Sequence, residues 1–513
     1  MTKLRVLVLA AAAGTALGCG GARASDGGEL HIAVIQEAPS LDLHRTTTLV
    51  ARQIAAGTVW EKLLTLDSRS EAVPELCERF ESSGDAKTFT FYLRKGVRFH
   101  DGSVMSADDV VASMNRWLRS FAAARLLAGG SRFEKLDEHT VRISFSHPAV
   151  TFPDVVAGSG QTAAITTAAA CLDEDERGFL RQDRYIGTGP YRFAEWKLGQ
   201  HILLEKFDGY VPYGSPDEAV DGWAGYKAPT IQRLYFDYVP EDATCVAGFE
   251  TGQYDVLYNV SAYLKDRVRR IPDAELVEFQ AGTIAFVFNK KQGPAANVYF
   301  RQAVNAAIRI PDILRPVYGD MFTLGSCYME DTQPFWKTDA GSEHYHRADT
   351  ALAKELLAKS GYKGEPFVML TSNMGNMNQS MEVMRQQLAE IGIRATLTSV
   401  DWATLVTYNN DPAKFGIYNT SFASVPVPSL KPFFSPTSAG WSDDPTLQRL
   451  VAEFNAARTR GEARERWETL QAYSWEYLPA ICMGHNVVGY AWHKRVTGIS
   501  VFHGLFFWNA RIS

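Results

Sequence analysis

The chain has 513 residues, 46% hydrophobic and 21% charged, with a formal net charge of −6. That much apolar material supports a large core and excludes whole-chain disorder, collagen and coiled coil, and the length predicts about two to four domains. Mild acidity excludes a broad nucleic-acid footprint, which needs clustered Lys and Arg, and six cysteines are too few for a disulfide scaffold.

Lys3 and Arg5 precede an uncharged run from Val6 to Leu17 that ends in small residues. A spanning helix needs about 20 apolar residues, so this shorter run reads as a secretory signal over residues 1–24. Two processing sites compete. Ala22-Arg23-Ala24 before Ser25 is an A-x-A site, whereas Ala16-Leu17-Gly18-Cys19 resembles the lipobox of bacterial lipoproteins, with Ala16 where that box usually has Leu. Gly20 and Gly21 follow like a tether, and Cys19 is the expected point of lipidation. No later run is long and apolar enough to span a bilayer, so any membrane attachment is expected through that anchor alone. Cys77, Cys171, Cys245, Cys327 and Cys482 remain. They form no CxxC, which supports neither a zinc ribbon nor a thioredoxin-like centre and leaves one or two disulfides open.

Glu29 to Gln36 reads as a strand, and Glu37-Ala38-Pro39-Ser40-Leu41-Asp42 as a turn off its end. Thr88 to Leu93 is a second strand. Ser106 then caps a helix with Asp108 and Asp109 in its first turn and Val110, Val111, Met114, Trp117 and Leu118 on its buried stripe. His139–Phe145 alternates as a strand does. Gly187-Thr188-Gly189-Pro190 punctuates the chain before strands at Tyr191–Trp196, Ile231–Val239 and Ile284–Asn289, with a short helix at Ala247–Gly252. The second half alternates helix with strand. Helices are predicted at Arg301–Arg309, from the Asp349 cap to Gly361, through Met381, Met384, Leu388 and Ile391, and through Leu447, Leu450, Val451 and Phe454. Strands fall at Pro366–Leu370 and Arg394–Val400.

HExxH, the G-x-S-x-G elbow and the Walker phosphate loop are all missing. Gly187-Thr188-Gly189-Pro190 lacks a phosphate-reaching Lys and reads as a turn. His344-Tyr345-His346 sits in a polar stretch where a solvated loop is favoured over a metal shell. No cofactor and no metal are expected.

Five runs in order resemble the family 5 extracellular solute-binding proteins, the peptide/nickel group of ABC-importer receptors. The sharpest is Phe91-Tyr92-Leu93-Arg94-Lys95-Gly96-Val97-Arg98-Phe99-His100-Asp101-Gly102 followed by Ser106-Ala107-Asp108-Asp109-Val110. Tyr185-Ile186-Gly187-Thr188-Gly189-Pro190-Tyr191 is similar to the family's GTGPY turn. Phe288-Asn289 with Arg301-Gln302-Ala303-Val304-Asn305, then Leu388–Ile393, then Val400-Asp401-Trp402, complete the series. The resemblance implies an α/β, two-lobed periplasmic-binding-protein-like fold (type II, cluster C-like). Its first lobe comprises residues 26–66, 187–264 and 485–513, with an extra domain at 67–186, and its second lobe residues 265–484. It implies a monomeric receptor that captures a peptide or small solute by hinge closure and passes it to an ABC permease, without nucleic acid. A solute sensor and an exported hydrolase with dispersed residues are the alternatives.

The resemblance also nominates ligand contacts. The family's last ligand loop resembles the run Phe415 to Pro428, where its Trp place holds Phe422, its ammonium-pairing Asp place holds Val425 and an Arg place holds Asn419. Both charged anchors are missing there, so a solute less charged or differently charged than an ordinary oligopeptide is expected, unless Glu37 or another acid supplies the charge. Glu37, Ala38 and Pro39 lie where the family's first strand meets the cleft. Ser421 and Ser424 are candidate hydrogen-bonding residues, and His485 a candidate cleft residue near the hinge.

Overall fold

The computed structural model describes residues 28–513 except 47 and 159–161. The signal segment, its cleavage sites and Cys19 lie outside the described residues.

The main sheet has 11 strands. In chain order ten of them are β1 (Glu29–Val34), β2 (Tyr191–Lys197), β3 (His201–Lys206), β4 (Arg233–Tyr238), β5 (Val256–Val260), β6 (Ala274–Phe288), β7 (Phe367–Ser372), β8 (Ala395–Val400), β9 (Ile417–Ala423) and β10 (Ala480–His493). Across the sheet they run β8-β7-β9-β6-β10-β5-β1-β4-β3-β2, and Phe322–Thr323 adds to β10 off this path. β1 pairs in parallel with β4 and β5, and β7 with β8 and β9. The two parallel groups are separated by β6 and β10, which are antiparallel to each other.

β6 and β10 are 15 and 14 residues long, and they belong to both halves. The late part of β10 pairs with β5 in one half, and the late part of β6 pairs with β9 in the other. Their register shifts between Gln280 and Gly282 and again between Ile284 and Ala285. A Cβ on Gly282 would run into the Phe422 carbonyl oxygen, so only glycine lets β9 lie this close.

Residues 77–144 build a separate four-stranded antiparallel sheet in the order Cys77–Ser82, Thr88–Leu93, Thr140–Ser144, Phe133–Asp137. The helix Ala107–Ser120 packs on it through Val110, Met114 and Trp117, with the Asp109 carboxylate accepting from Ser106 N and Oγ. Three sequence expectations shift. The helix expected at Ala247–Gly252 is Asp242–Glu250, because Asp242 starts it and Gly252, at φ 76°, lies past its end. The helix expected at Arg301–Arg309 is Val298–Ala307, with the Asn297 side chain accepting from Tyr299 N, and Pro311 opens a second helix, Ile310–Tyr318. β6 begins ten residues before the expected Ile284, because its early Glu275, Glu278 and Gln280 hide the strand. All five described cysteines are buried and free, so the disulfides left open by their number do not form.

The runs that carried the family resemblance are joints. His100 Nε2 lies 3.0 Å from Gly189 O, its Nδ1 accepts from Gly187 N at 3.1 Å, and His100 N donates to Gly187 O at 2.9 Å. The HDG run is thereby sewn to the GTGPY turn. Arg301 is buried and donates to Ala295 O and Ala296 O, and to Tyr477 O at the end of the helix Arg460–Tyr477. A guanidinium there satisfies orphan carbonyls and complements the helix dipole. Asn289 Nδ2 donates to Pro412 O and Phe415 O.

The turn after β1 is locked to the helix Ala107–Ser120. Arg116 pairs with both oxygens of Asp42, at 2.9 and 2.6 Å, and with Glu174 at 2.6 Å. Its Nη1 also donates to His44 Nδ1 at 3.0 Å, while His44 Nε2 donates to Ala164 O at 2.8 Å. That arrangement demands a neutral imidazole. Burial first, then the adjacent guanidinium, push the His44 pKa down to about 4 from 6.5. The unfolded chain therefore binds a proton below pH 6.5 that the folded chain refuses until about pH 4. Stability should fall as the pH drops through that window, by up to about 1.4 kcal/mol per unit from this one group. Urea melts between pH 4 and 7 check this, and a His44→Asn variant should show a shallower slope. An equal slope in the variant would remove His44 from the acid response.

Candidate functional site

The junction of the two half-sheets holds a cluster of buried polar side chains. Glu330 and Lys431 are both 0% exposed and form an ion pair at 2.7 Å. Thr283, on β6, donates to Glu330 Oε1 at 2.6 Å, Lys431 Nζ reaches Thr283 Oγ1 at 2.8 Å, and Ser424 Oγ donates to Glu330 Oε2 at 3.0 Å. Burial alone would raise the Glu330 carboxyl, but Lys431 and the hydrogen bonds hold it below its ordinary range. Both carboxylate oxygens are thus committed.

His485 pairs with Thr283 across the β6–β10 ladder and with Thr323 on its other side. It is buried, and its Nδ1 has no hydrogen-bond partner among the described residues. Burial, reinforced by Lys431, lowers its pKa against the opposing pull of Glu330 and Asp331, so the ring is neutral. Beside it Ser421 is exposed and donates to Asn486 Oδ1 at 2.8 Å. Phe422 is half-buried, opposite Thr283 in register, with its ring edge-on to Phe433 at 5.7 Å.

From the other half, Arg52, Gln53, Trp223, Tyr258, His503 and Phe506 line a small recess. His503 is held in the left-handed region, at φ 54°, where a non-glycine residue is strained. Leu505 N donates to Tyr258 OH at 2.7 Å and Trp223 Nε1 to Phe502 O at 2.8 Å, which fixes this turn. His503 Nε2 has no hydrogen-bond partner among the described residues, and burial lowers its pKa to about 4 while Glu330 pulls the other way. The His503 ring lies edge-on to Phe279 of β6 at 5.6 Å, which sets this turn against the shared strand.

Phe422, Ser424 and His485 therefore gather with Thr283 on one face of the sheet at the junction, while Ser421 lies on the opposite face with Asn486. Asn419 lies on the same strand but is buried under the helix Met377–Glu390, its amide donating to Met377 O and Ser380 Oγ, so it holds that helix instead of facing a solute. Glu37, Ala38 and Pro39 follow the end of β1 in the other half. Glu37 Oε1 accepts from Gly199 N at 2.8 Å and Trp196 Nε1 at 3.2 Å, Ala38 is buried and Pro39 exposed. Val425, in the acid place, offers only its backbone oxygen, to Gln333 Nε2.

Sequence reading missed Thr283, Glu330, Lys431 and His503. No spacing joins Glu330 to Lys431, because 101 residues separate them. The run Phe502-His503-Gly504-Leu505-Phe506-Phe507-Trp508 was a visible signal, since so dense an aromatic segment at a turn either fills a core or lines a site.

The profile of the family described as "Bacterial extracellular solute-binding proteins, family 5 Middle" matches residues 71–442. The chain belongs to the family 5 bacterial extracellular solute-binding proteins. A curated relative, "Probable peptide ABC transporter periplasmic-binding protein y4tO" of Sinorhizobium fredii, is 26% identical over 484 residues, covering 88% of each chain. Among solved structures, the ABC transporter substrate-binding protein CtaP of Listeria monocytogenes superposes with a TM-score of 0.80 at 19% identity, over 95% of this chain and 99% of that one. AgaA of A. tumefaciens R10, solved with agropinic acid, superposes at 0.77 with 23% identity over 95% and 99%. This family 5 receptor thus has the two-lobed fold that its half-sheets and their two shared strands form. Among its described residues no helix is long and apolar enough to cross a membrane, and no group of three or more His, Cys, Asp or Glu could hold a metal ion.

Proposed function

We propose that this chain is the extracytoplasmic substrate-binding component of an ABC importer, which grips a peptide or other small solute between its lobes and releases it unchanged. The observation that carries the reading is the pair β6 and β10, which among the described strands run through both half-sheets and shift register where the halves meet. We take residues 26–66, 187–264 and 485–513 as the first lobe, with 67–186 attached, and most of 265–484 as the second. The first crossing then falls inside β6 near Gly282, later than residue 264. Membrane attachment through Cys19 and a monomeric state belong to the same proposal.

Closure follows from differential contact. A solute on one wall gains the other wall only in the closed form, so it draws the open–closed equilibrium toward closure. Moving that equilibrium from 1:99 to 99:1 takes about 5.5 kcal/mol of differential affinity. The half-buried Phe422 ring and the recess around Trp223 and His503 supply rigid aromatic wall. Val425 supplies no carboxylate, Glu330 is spent on Lys431, Thr283 and Ser424, and Glu37 Oε1 on Trp196 and Gly199. A buried ammonium without a carboxylate is penalised by several kcal/mol. The solute is therefore one that does not anchor an α-ammonium at this loop.

Mass spectrometry of protein purified without denaturation identifies the bound solute, and calorimetry then measures its return. Stoichiometric binding with no turnover is the expected result, and turnover would replace the receptor by a hydrolase. Phe422→Ala should weaken that binding by about 1–3 kcal/mol. An unchanged affinity would take Phe422 out of the wall.

A further inference from the structure

We propose that residues 67–186 clasp the second lobe directly, so that the closed form is held by contacts within the chain before any solute enters. The inference rests on the two-lobe division above. Three contacts make the clasp. Arg460 Nη1 meets both oxygens of Asp154, at 2.6 and 2.7 Å, across 306 residues of chain. Ser70 Oγ donates to Thr332 O at 2.7 Å. Gly158 lies so close to Pro426 that a Cβ would stand 2.9 Å from its Cγ.

Two of these contacts bear a mark of placement for this purpose. Arg460 is the first residue of the helix Arg460–Tyr477, where a cation opposes the helix dipole, so it does not serve its own helix. Its guanidinium is instead aimed outward over the Phe335 ring, at 4.4 Å, and onto a carboxylate that is 2% exposed. Ser70 is held at φ 60°, in the strained left-handed region, by a turn in which Asp67 Oδ1 accepts from Arg69 N and Glu71 N. The clasp also reaches the solute wall. Thr332 lies in one loop with Gln333 and Trp336, whose side chains donate to Val425 O and Pro426 O, a few residues after Phe422. Closing the clasp therefore seats the loop that carries the aromatic wall.

The test needs no solute. Protein refolded from urea, and so solute-free, is examined by small-angle X-ray scattering, with far-ultraviolet circular dichroism as the check on folding. Wild-type scattering should fit the closed form. Arg460→Met should lower the closed-to-open ratio roughly tenfold, the weight of one charge-assisted hydrogen-bonded pair, and be read as a larger radius of gyration. Asp154→Asn should do the same, and the double variant should open no further than either single one, since both remove one bond. Solute-free wild type that is already open, single variants that scatter as wild type, or a double variant that opens by the sum, would each overturn the clasp. None of these results touches the receptor reading, which fails only on turnover.

Discussion

Replacing Lys431 with Met is expected to lower folding stability by about 3–5 kcal/mol. Lys431 and Glu330 are both fully buried, and Lys431 is the cation paired with that carboxylate. Removing the ammonium leaves Glu330 with only the hydroxyls of Thr283 and Ser424, in a setting where water cannot solvate it. The carboxyl then rises above its ordinary pKa, so the folded form takes up a proton before the unfolded form does. The deficit should accordingly shrink as the pH is lowered from 8 toward 5. Replacing both partners, as Glu330→Leu with Lys431→Met, should recover most of the loss, because no buried charge is then left alone. Urea melts of the three variants at two pH values measure all of this. A single variant as stable as wild type would mean that the pair does not hold the junction.

Gly187→Ala should be nearly as damaging, at about 3 kcal/mol, as the extreme of overpacking. A Cβ at this position would fall inside the carbonyl oxygen of Val59 and 2.9 Å from its carbonyl carbon, and backbone cannot swing aside as a side-chain tip can. Any shift that relieves the clash also strains the bonds between Gly187 and His100. Gly84→Ala is the control, since nothing lies within 4 Å of a Cβ there and its stability should not change. Equal melts for the two variants would refute the steric account of the GTGPY turn.

These two variants also mark how far the sequence could be read. The run around His100 and the turn at Gly187 carry the family resemblance because they are packed against each other, and a close backbone approach admits few substitutes. Such residues keep their pattern whatever the protein binds, which makes the fold legible and the solute not. The ligand loop was legible only by alignment. Phe422 and Ser424 share the Thr283 face at the junction, while Asn419 and Ser421, two residues apart, share the opposite face, where Asn419 turns beneath a helix and Ser421 stays exposed. Side chains alternate across a strand, but which face meets solute depends on what packs behind it.

By itself the sequence determined most local elements, the capped helix at Ser106 and, through the runs at His100, Gly187 and Arg301, the family. Local hydrogen bonding and short-range sterics specify the elements, whereas the bonds that His100 and Arg301 make, across 87 and 176 residues, appear only in the fold. Only the tertiary structure decided that β6 and β10 are shared by both halves, that Glu330 is spent on Lys431, and that Arg460 reaches Asp154. Those outcomes join residues roughly 100–300 positions apart, and β10, mostly buried along its length, loses the alternation that would announce a half-exposed strand. What a buried charge does depends on the partner that folding brings to it, and no local pattern carries that information.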